Sequence, residues 1–467
     1  MSGADLIDVS VVEATLDAAL RTGGEFAEVF VEDKRASSAY LDDGKVEELT
    51  SGRDRGRASA PSSARPPASP IPPTCPKPAA RRCRSRGGGC PLGWRRHDGC
   101  GARAPGHRPW LRHRDLPGRR PQGHEGRVAH PRRRRARTQG AAITQVSASY
   151  ADSRRRILVA NSDGLLAGDD TVRTLFSVSC VATGDTGMQT GRESVGYTVG
   201  FELFDQHDVA ELARRAADRA LTKLAARPAP SGELPVVIGP GGGGVLFHEA
   251  CGHGLEADLV AKGASVFRGR VGDQVASPLV TLVDDGTMAK EWGNIGIDDE
   301  GHPAARNVLI QDGVLTDYMW DLLRARKEGR PSSGNGRRQS YQHLPMVRMT
   351  NTYLLAGTDD PDEIVASTPN GVYIAHLGGG SVNTATGDFV FGMTEAYLIE
   401  DGRITEPLRE GNLIGNGPEV LQRIDAVGND FAMGSPGTCG KDGQGVPVGD
   451  GVPTLRVSSL TVGGTAA

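Results

Sequence analysis

No apolar run in the 467-residue chain approaches the roughly 18 residues that a bilayer span needs, so nothing in it reads as a transmembrane helix. Apolar side chains are scarce altogether. A hydrophobic content of 37%, beside 64 glycines and 29 prolines, is lean for a globular protein of this length. Cysteine is scarcer still: four of the seven (Cys75, Cys83, Cys90, Cys100) crowd into one atypical stretch, leaving Cys180, Cys251 and Cys439 elsewhere. Three isolated cysteines exclude a disulfide-stapled framework, and MSGADLIDVSVVEATL has neither the basic start nor the apolar centre of a signal peptide. A soluble protein of a reducing, cytoplasmic compartment is expected. There, a lone cysteine in an unusual setting reads as a ligand or a nucleophile.

The net charge of −3 conceals a cancellation. Residues 57–138 hold 21 Lys and Arg against Asp98, Asp115 and Glu125, which leaves 33 basic and 54 acidic residues elsewhere. The same stretch has 14 of the prolines and no helical or alternating apolar period. Three readings compete: a basic disordered arm that neutralises phosphates, a Cys/His zinc module, and a stretch of shifted reading frame in a GC-rich gene. The cysteine spacing contains no C-x2-C pair, and both edges of the stretch are abrupt, so the shifted frame is favoured. The segment is set aside from the fold.

The remainder predicts an α+β protein: an N-terminal α/β-type domain, then a mostly β C-terminal domain carrying a metal-binding helix. The N-terminal domain takes residues 1–56 and 139–226. It opens on a helix in VSVVEATLDAALRTGG, continues with FAEVFVED as a half-buried strand, and contains hairpins turning at Asp-Gly and Ser-Asp-Gly. HDVAELARRAADRALTKLAA is the clearest helix. The Pro/Gly/Ser stretch at 227–233 marks the boundary, and the C-terminal domain occupies 234–467. That domain begins with a strand, a glycine loop lacking the G-K-[ST] of a phosphate-binding loop, and a helix.

The helix carries GGGGVLFHEACGHGLEAD, with His248, Glu249 and His253. Two imidazoles and a carboxylate are the parts of a zinc hydrolase site, but H-E-x-x-H spaces its histidines by four and here the spacing is five. On a regular helix positions five apart diverge by about 140°. A shared metal therefore requires the helix to bulge or break near Gly252. A third ligand is needed, and the residues leave the choice open between Cys439, in the turn-rich GTCGKDGQG loop, and the nearby carboxylates Glu256 and Asp258. Cys251 reads as a small inward-packing residue. Downstream, NGRRQSYQHLPMVR gathers Arg337, Arg338, Tyr341, His343 and Arg348. They read either as contacts to a peptide and its oxyanion, with Arg338, Tyr341 and His343 the candidate substrate-binding set, or as a solvated basic loop.

GPGGGGVLFHEACGHGLEAD, SGNGRRQSYQHLPMVRMTNTYL and GTCGKDGQGVPVGDG, in that order, resemble the TldD members of the TldD/PmbA family of zinc metallopeptidases, also described as modulators of DNA gyrase. The resemblance spans 1 to about 55 and about 139 to the end. It implies Zn2+ held by His248, His253 and Cys439, with Glu249 as catalytic base. It further implies a TldE/PmbA-type paralogous partner subunit and extended, unfolded peptides as substrates; the lack of a long apolar run argues against a membrane partner, and a nucleic-acid partner is the disfavoured reading of the Arg-rich stretch. Residues 57–138 depart from the family pattern, which puts in question the stability and activity of this chain.

Overall fold

The computed structural model describes residues 6–21, 23–62 and 142–465. Most of the Arg/Pro-rich segment, with each reading of it, therefore lies outside the described residues. Its first residues do not. Strand β2 (Lys45–Ser62) runs on through residue 57 and pairs along the whole length of β1 (Phe26–Asp42), ending at Phe26↔Ser62. Main-chain pairing is indifferent to side-chain composition, and β2 is an edge strand, where Pro61 is tolerated. The packed strand thus extends past the boundary expected at 57.

The N-terminal domain is a five-stranded antiparallel sheet in the order β2-β1-β3-β4-β5, with β3 at Ile143–Asn161, β4 at Leu166–Gly184 and β5 at Gly187–Tyr197. Helix α1 (Val9–Leu20) starts at Asp8, whose carboxylate accepts the Ser10 N–H at 2.9 Å, and packs over β1 and β2. Helix α2 (Val209–Ala225) is capped in the same way by Asp208 and presents Ala213, Ala216, Ala217 and Ala220 to β4 and β5. These small side chains let backbones meet: a Cβ on Gly191 would lie 2.0 Å from the Ala216 carbonyl oxygen.

Alternation along β1 sorts its side chains to two faces. Ala27, Val29 and Val31 lie beneath α1, whereas Glu28, Phe30, Glu32 and Lys34 face the C-terminal domain. The charged face is not solvated, since Glu28 and Glu32 are buried against partners from the second domain. The strand expected to be half-buried is therefore buried on both faces over this part.

In the C-terminal domain, strands Asn370–Val382, Gly232–Ile238, Leu455–Gly463, Asn412–Asn416 and Asp388–Glu400 pair in succession, and the last returns to the first, closing a ring. A second sheet includes Leu282–Asp285, Asn351–Leu354 and Gln444–Val452, and the last of these also pairs with Gly437–Lys441. Asp-Gly turns with both residues at positive φ close hairpins at 43–44, 312–313, 401–402 and 442–443. The chain from Gly244 to Leu255 crosses between ring and second sheet, and Leu246, Phe247, Cys251 and Leu255 enter their common core.

Candidate metal centre

Close backbone approach delivers this segment to its place. After strand Gly232–Ile238 the glycine loop presses on its neighbours: a Cβ on Gly242 would lie 1.7 Å from the Ala375 carbonyl oxygen, and one on Gly244 would lie 2.3 Å from Asp450 Oδ1. One α-turn, Gly244–Phe247, then leads into a π-turn at His248–Gly252, in which the His253 N–H donates to the His248 carbonyl. An i→i+5 bond sets residues five apart one above the other, which a regular α-helix does not. The two imidazoles consequently meet edge to face, with ring centroids 5.0 Å apart. This is the bulge that the five-residue spacing demanded.

Cys439 approaches from strand Gly437–Lys441, its Sγ 3.4 Å from His253 Nε2, and the ligand atoms of His248, His253 and Cys439 all lie within 4.8 Å of one another. Bonds of about 2.0–2.1 Å to nitrogen and 2.3 Å to sulfur give a tetrahedral N···S edge of roughly 3.5 Å, so the donor set and its spacing fit zinc. All three residues are buried, and His248 Nδ1 has no hydrogen-bond partner among the described residues. Burial opposes ionisation of Cys439, but hydrogen bonds and charge from His248 and His253 prevail and bring the thiol down to about 5. Burial likewise opposes protonation of both imidazoles, and Cys439, joined at His253 by Glu256, reverses this and raises them.

Glu249 stands beside this cluster with its Oε2 4.0 Å from His253 Nε2, and its carboxylate makes no hydrogen bond among the described residues. Burial raises its pKa, partly offset by the histidines. Asp450, half-buried over Gly244, is raised to about 7 by burial; His248 opposes the rise and Glu249 adds to it.

Glu256 is not among the converging donors. Its Oε2 takes the other nitrogen of His253, Nδ1, at 3.0 Å and also accepts from Lys441 Nζ at 2.9 Å. Lys441 donates to Asp258 at 2.7 Å as well. The two carboxylates that competed with Cys439 in the sequence thus orient a ligand from behind it. Lys441, two residues past Cys439, ties the cysteine hairpin to the histidine segment. Fully buried Arg348 holds the same hairpin by donating to the Cys439 carbonyl and, at 3.2 Å, to that of Gln444. Lys441 was missed in the sequence; its only signal was a lysine beside a candidate ligand. Cys251 packs inward as expected, its thiol pushed up to about 12 by burial.

Arg338, Tyr341 and His343 lie elsewhere. Arg338 is buried and donates to Glu28 Oε1 at 2.6 Å and to the Asp299 carbonyl at 3.0 Å. Tyr341 donates its N–H to Glu32 at 2.9 Å and lays its ring over Gly56, and His343 Nδ1 meets Ser340 Oγ at 3.0 Å. Their polar atoms serve the seam between the domains and their own loop, and none hydrogen-bonds to the metal cluster. A second grouping, Asp298, Glu300 and His302, is equally tight, but Asp298 and Glu300 already accept backbone N–H groups.

The chain is similar to known proteins in sequence and in fold. The sequence matches the PmbA/TldA metallopeptidase C-terminal domain over residues 231–464 and the central domain of the same family over 127–224. It is 46% identical over 338 residues to the metalloprotease TldD homolog of Haemophilus influenzae, covering 71% of this chain and 70% of that one. A zinc metalloprotease TldD homolog of Saccharolobus solfataricus is 30% identical over 307 residues, 65% of this chain and 68% of the relative. Among solved structures, a candidate modulator of a DNA gyrase from Thermotoga maritima superposes with a TM-score of 0.72 at 19% identity, covering 98% of this chain and all of the other. TldE from Thermococcus kodakarensis gives 0.67 at 17%, over 97% and 99% of the two chains. These structures share the mixed, strand-rich fold. Among the described residues, no helix is long and apolar enough to cross a membrane.

Proposed function

The chain belongs to the PmbA/TldD family of metallopeptidases, and from that membership we propose that it hydrolyses peptide bonds at a zinc centre held by His248, His253 and Cys439. The observation that carries the reading is the π-turn that stacks His253 under His248 with Cys439 Sγ 3.4 Å from Nε2. Zinc bound there would acidify a water molecule and polarise a carbonyl. Glu249 is the general base: its free carboxylate takes the proton of the attacking water and returns it to the leaving amine. Burial raises its proton affinity toward what that relay requires. Glu256 orients His253 through Nδ1, and Lys441 and Arg348 hold the Cys439 hairpin in reach.

The substrates are extended, unfolded peptides read through their backbones. The chain works in the cytoplasm beside a TldE/PmbA-type paralogous subunit, a reading that rests on its membership of the family. The test is metal analysis together with cleavage of an unfolded peptide, with and without that subunit. Wild type should bind one zinc and cleave, and Glu249→Gln should keep the zinc and lose cleavage by at least about a hundredfold. Cleavage by the variant at the wild-type rate would remove Glu249 from the mechanism. Bound zinc with no cleavage by wild type, even with the partner, would make the chain a metal-containing scaffold.

A further inference from the structure

The seam between the domains encloses a cavity of about 230 Å3, walled by β1, β3 and β4 on one side and by residues 295–299, 337–339 and 445–447 on the other. Five cationic side chains line it: Lys34, Arg155, Arg173, Arg337 and Arg338. Three carboxylates also line it, and each already accepts a hydrogen bond. Asp169 accepts from the Gly296 N–H at 3.0 Å, Asp298 from the Gly336 N–H at 3.0 Å, and Asp299 pairs with Arg155 at 2.7 Å. Arg338 is matched by Glu28 and Arg155 additionally by Glu32.

Among the described residues, three of the cations form no ion pair with a carboxylate. Arg173 is nine-tenths buried and, among the described residues, donates only to the carbonyls of Trp292 and Asn294, at 3.0 and 2.8 Å. Arg337, also buried, donates to the carbonyls of Met349 and Pro447. Lys34 makes no hydrogen bond or ion pair among the described residues. The wall is short of acceptors in its interior too, where Arg155 Nη2 and Arg338 Nε are buried without a hydrogen-bond partner among the described residues. Burial first, and then mutual repulsion, bring Arg173 down to about 9; Arg337 falls to about 10, burial and Arg348 outweighing Asp299. Cationic side chains that line a void, partly desolvated and without a carboxylate paired to them, leave donors there for an acceptor to satisfy.

We propose that this seam cavity binds a small oxyanion, a carboxylate or phosphate group, held by Lys34 and Arg173 in the field of Arg337. Guanidinium and ammonium donors converging on a partly dry cleft are the usual means of holding such a group. A wider hollow of about 480 Å3 over β1 and β3 shares Lys34, Ser153, Arg173 and Trp292 with the cavity and supplies a way in from solvent. The inner wall belongs to the hairpin that carries Cys439, since Val446 lies directly opposite it. A bound anion would thus brace the N-terminal sheet against the strand pair that forms the metal centre. The proposal stands apart from the peptidase reading, because it needs neither metal nor turnover.

The full-length, metal-free chain is titrated with sodium phosphate against sodium chloride of equal ionic strength, following the melting temperature and the heat of binding. Phosphate should bind with one-to-one stoichiometry and raise the melting temperature by a few degrees at about 10 mM, while chloride should not. Lys34→Met should weaken phosphate binding by roughly tenfold or more, and Lys34→Arg should largely retain it. Because the Lys34 side chain makes no hydrogen bond or ion pair among the described residues, and Met fills similar space, Lys34→Met without phosphate should melt no lower than wild type, which separates lost binding from lost folding. A peptide with a free C-terminal carboxylate that displaces phosphate, while its C-terminal amide does not, assigns the site to a peptide terminus. Failure of both to displace it assigns the site to free phosphate. Phosphate binding unchanged by Lys34→Met, or no response of wild type to either phosphate or the peptide acid, would overturn the proposal.

Discussion

Lys441 concentrates more of the metal centre than its single charge suggests. It is buried and bridges Glu256 and Asp258, and through Glu256 it reaches the back of His253. Lys441→Met would leave two buried carboxylates without their common cation. The expected cost is about 3–5 kcal/mol of stability, with metal affinity lower by about 10–100-fold, as read by chelator competition. Unchanged affinity at reduced stability would confine Lys441 to holding the hairpin. Asp450 offers a test of sign. Its carboxyl lies near 3.8 in the unfolded chain and about 7 in the metal-free fold, so between those values the fold holds a proton that the unfolded chain has released. Stability therefore falls as pH rises through that window, and the penalty is complete above about 7. Asp450→Asn should raise the stability of the metal-free protein by roughly 2 kcal/mol at about pH 8, discounted for partial exposure, and change little near pH 4.

The π-turn does what no single residue of the motif can. It converts a spacing that splays two histidines on an α-helix into one that stacks them, and its glycine makes room. A Cβ on Gly252 would lie 2.3 Å from Met349 Sδ, inside a core where Met349 is wholly buried. Gly252→Ala should cost about 1–3 kcal/mol through overpacking and should loosen zinc binding, because relief requires the turn to move. Equilibrium unfolding and metal stoichiometry check the two effects separately. The Cys439 hairpin is the second working element. Its Asp442-Gly443 turn fixes the register, and with it the position of Cys439 opposite Val446.

Across the molecule, the domains are joined by buried charge rather than by an apolar face alone. Arg338 from the second domain enters the first, pairs with Glu28 and stacks 4.1 Å above the ring of Phe30, while Arg155 reaches the other way to Asp299. Glu28→Ala would strand a buried guanidinium, so chemical denaturation should register a loss of about 3–5 kcal/mol. Replacing both partners, Glu28→Leu with Arg338→Leu, should recover most of it, since removing a buried pair together leaves no orphaned charge. If the double variant is as unstable as the single, the pair's geometry rather than its charge balance holds the seam.

Much of this was legible along the chain because the governing physics is local. Asp-Gly pairs announce turns with two positive φ values, and the five-residue spacing of His248 and His253 announces a distorted helix. Other features depend on partners that no local window contains. Residue chemistry left Cys439 and Glu256 level as third ligand, and only folding across 186 positions brought Cys439 to Nε2 of His253 and turned Glu256 to Nδ1. That Arg338 and Tyr341 reach Glu28 and Glu32 of the first domain was hidden for a related reason: a basic loop with an aromatic looks alike whatever surface it meets. The charged face of β1 read as solvated because its partner Arg338 lies 310 positions away. The sequence, through turn chemistry and backbone freedom, determined which groups could act and where the chain had to bend. Which of those groups meet, and which seal the seam, was decided in the tertiary structure, because burial and charge pairing arise only once distant segments share a surface.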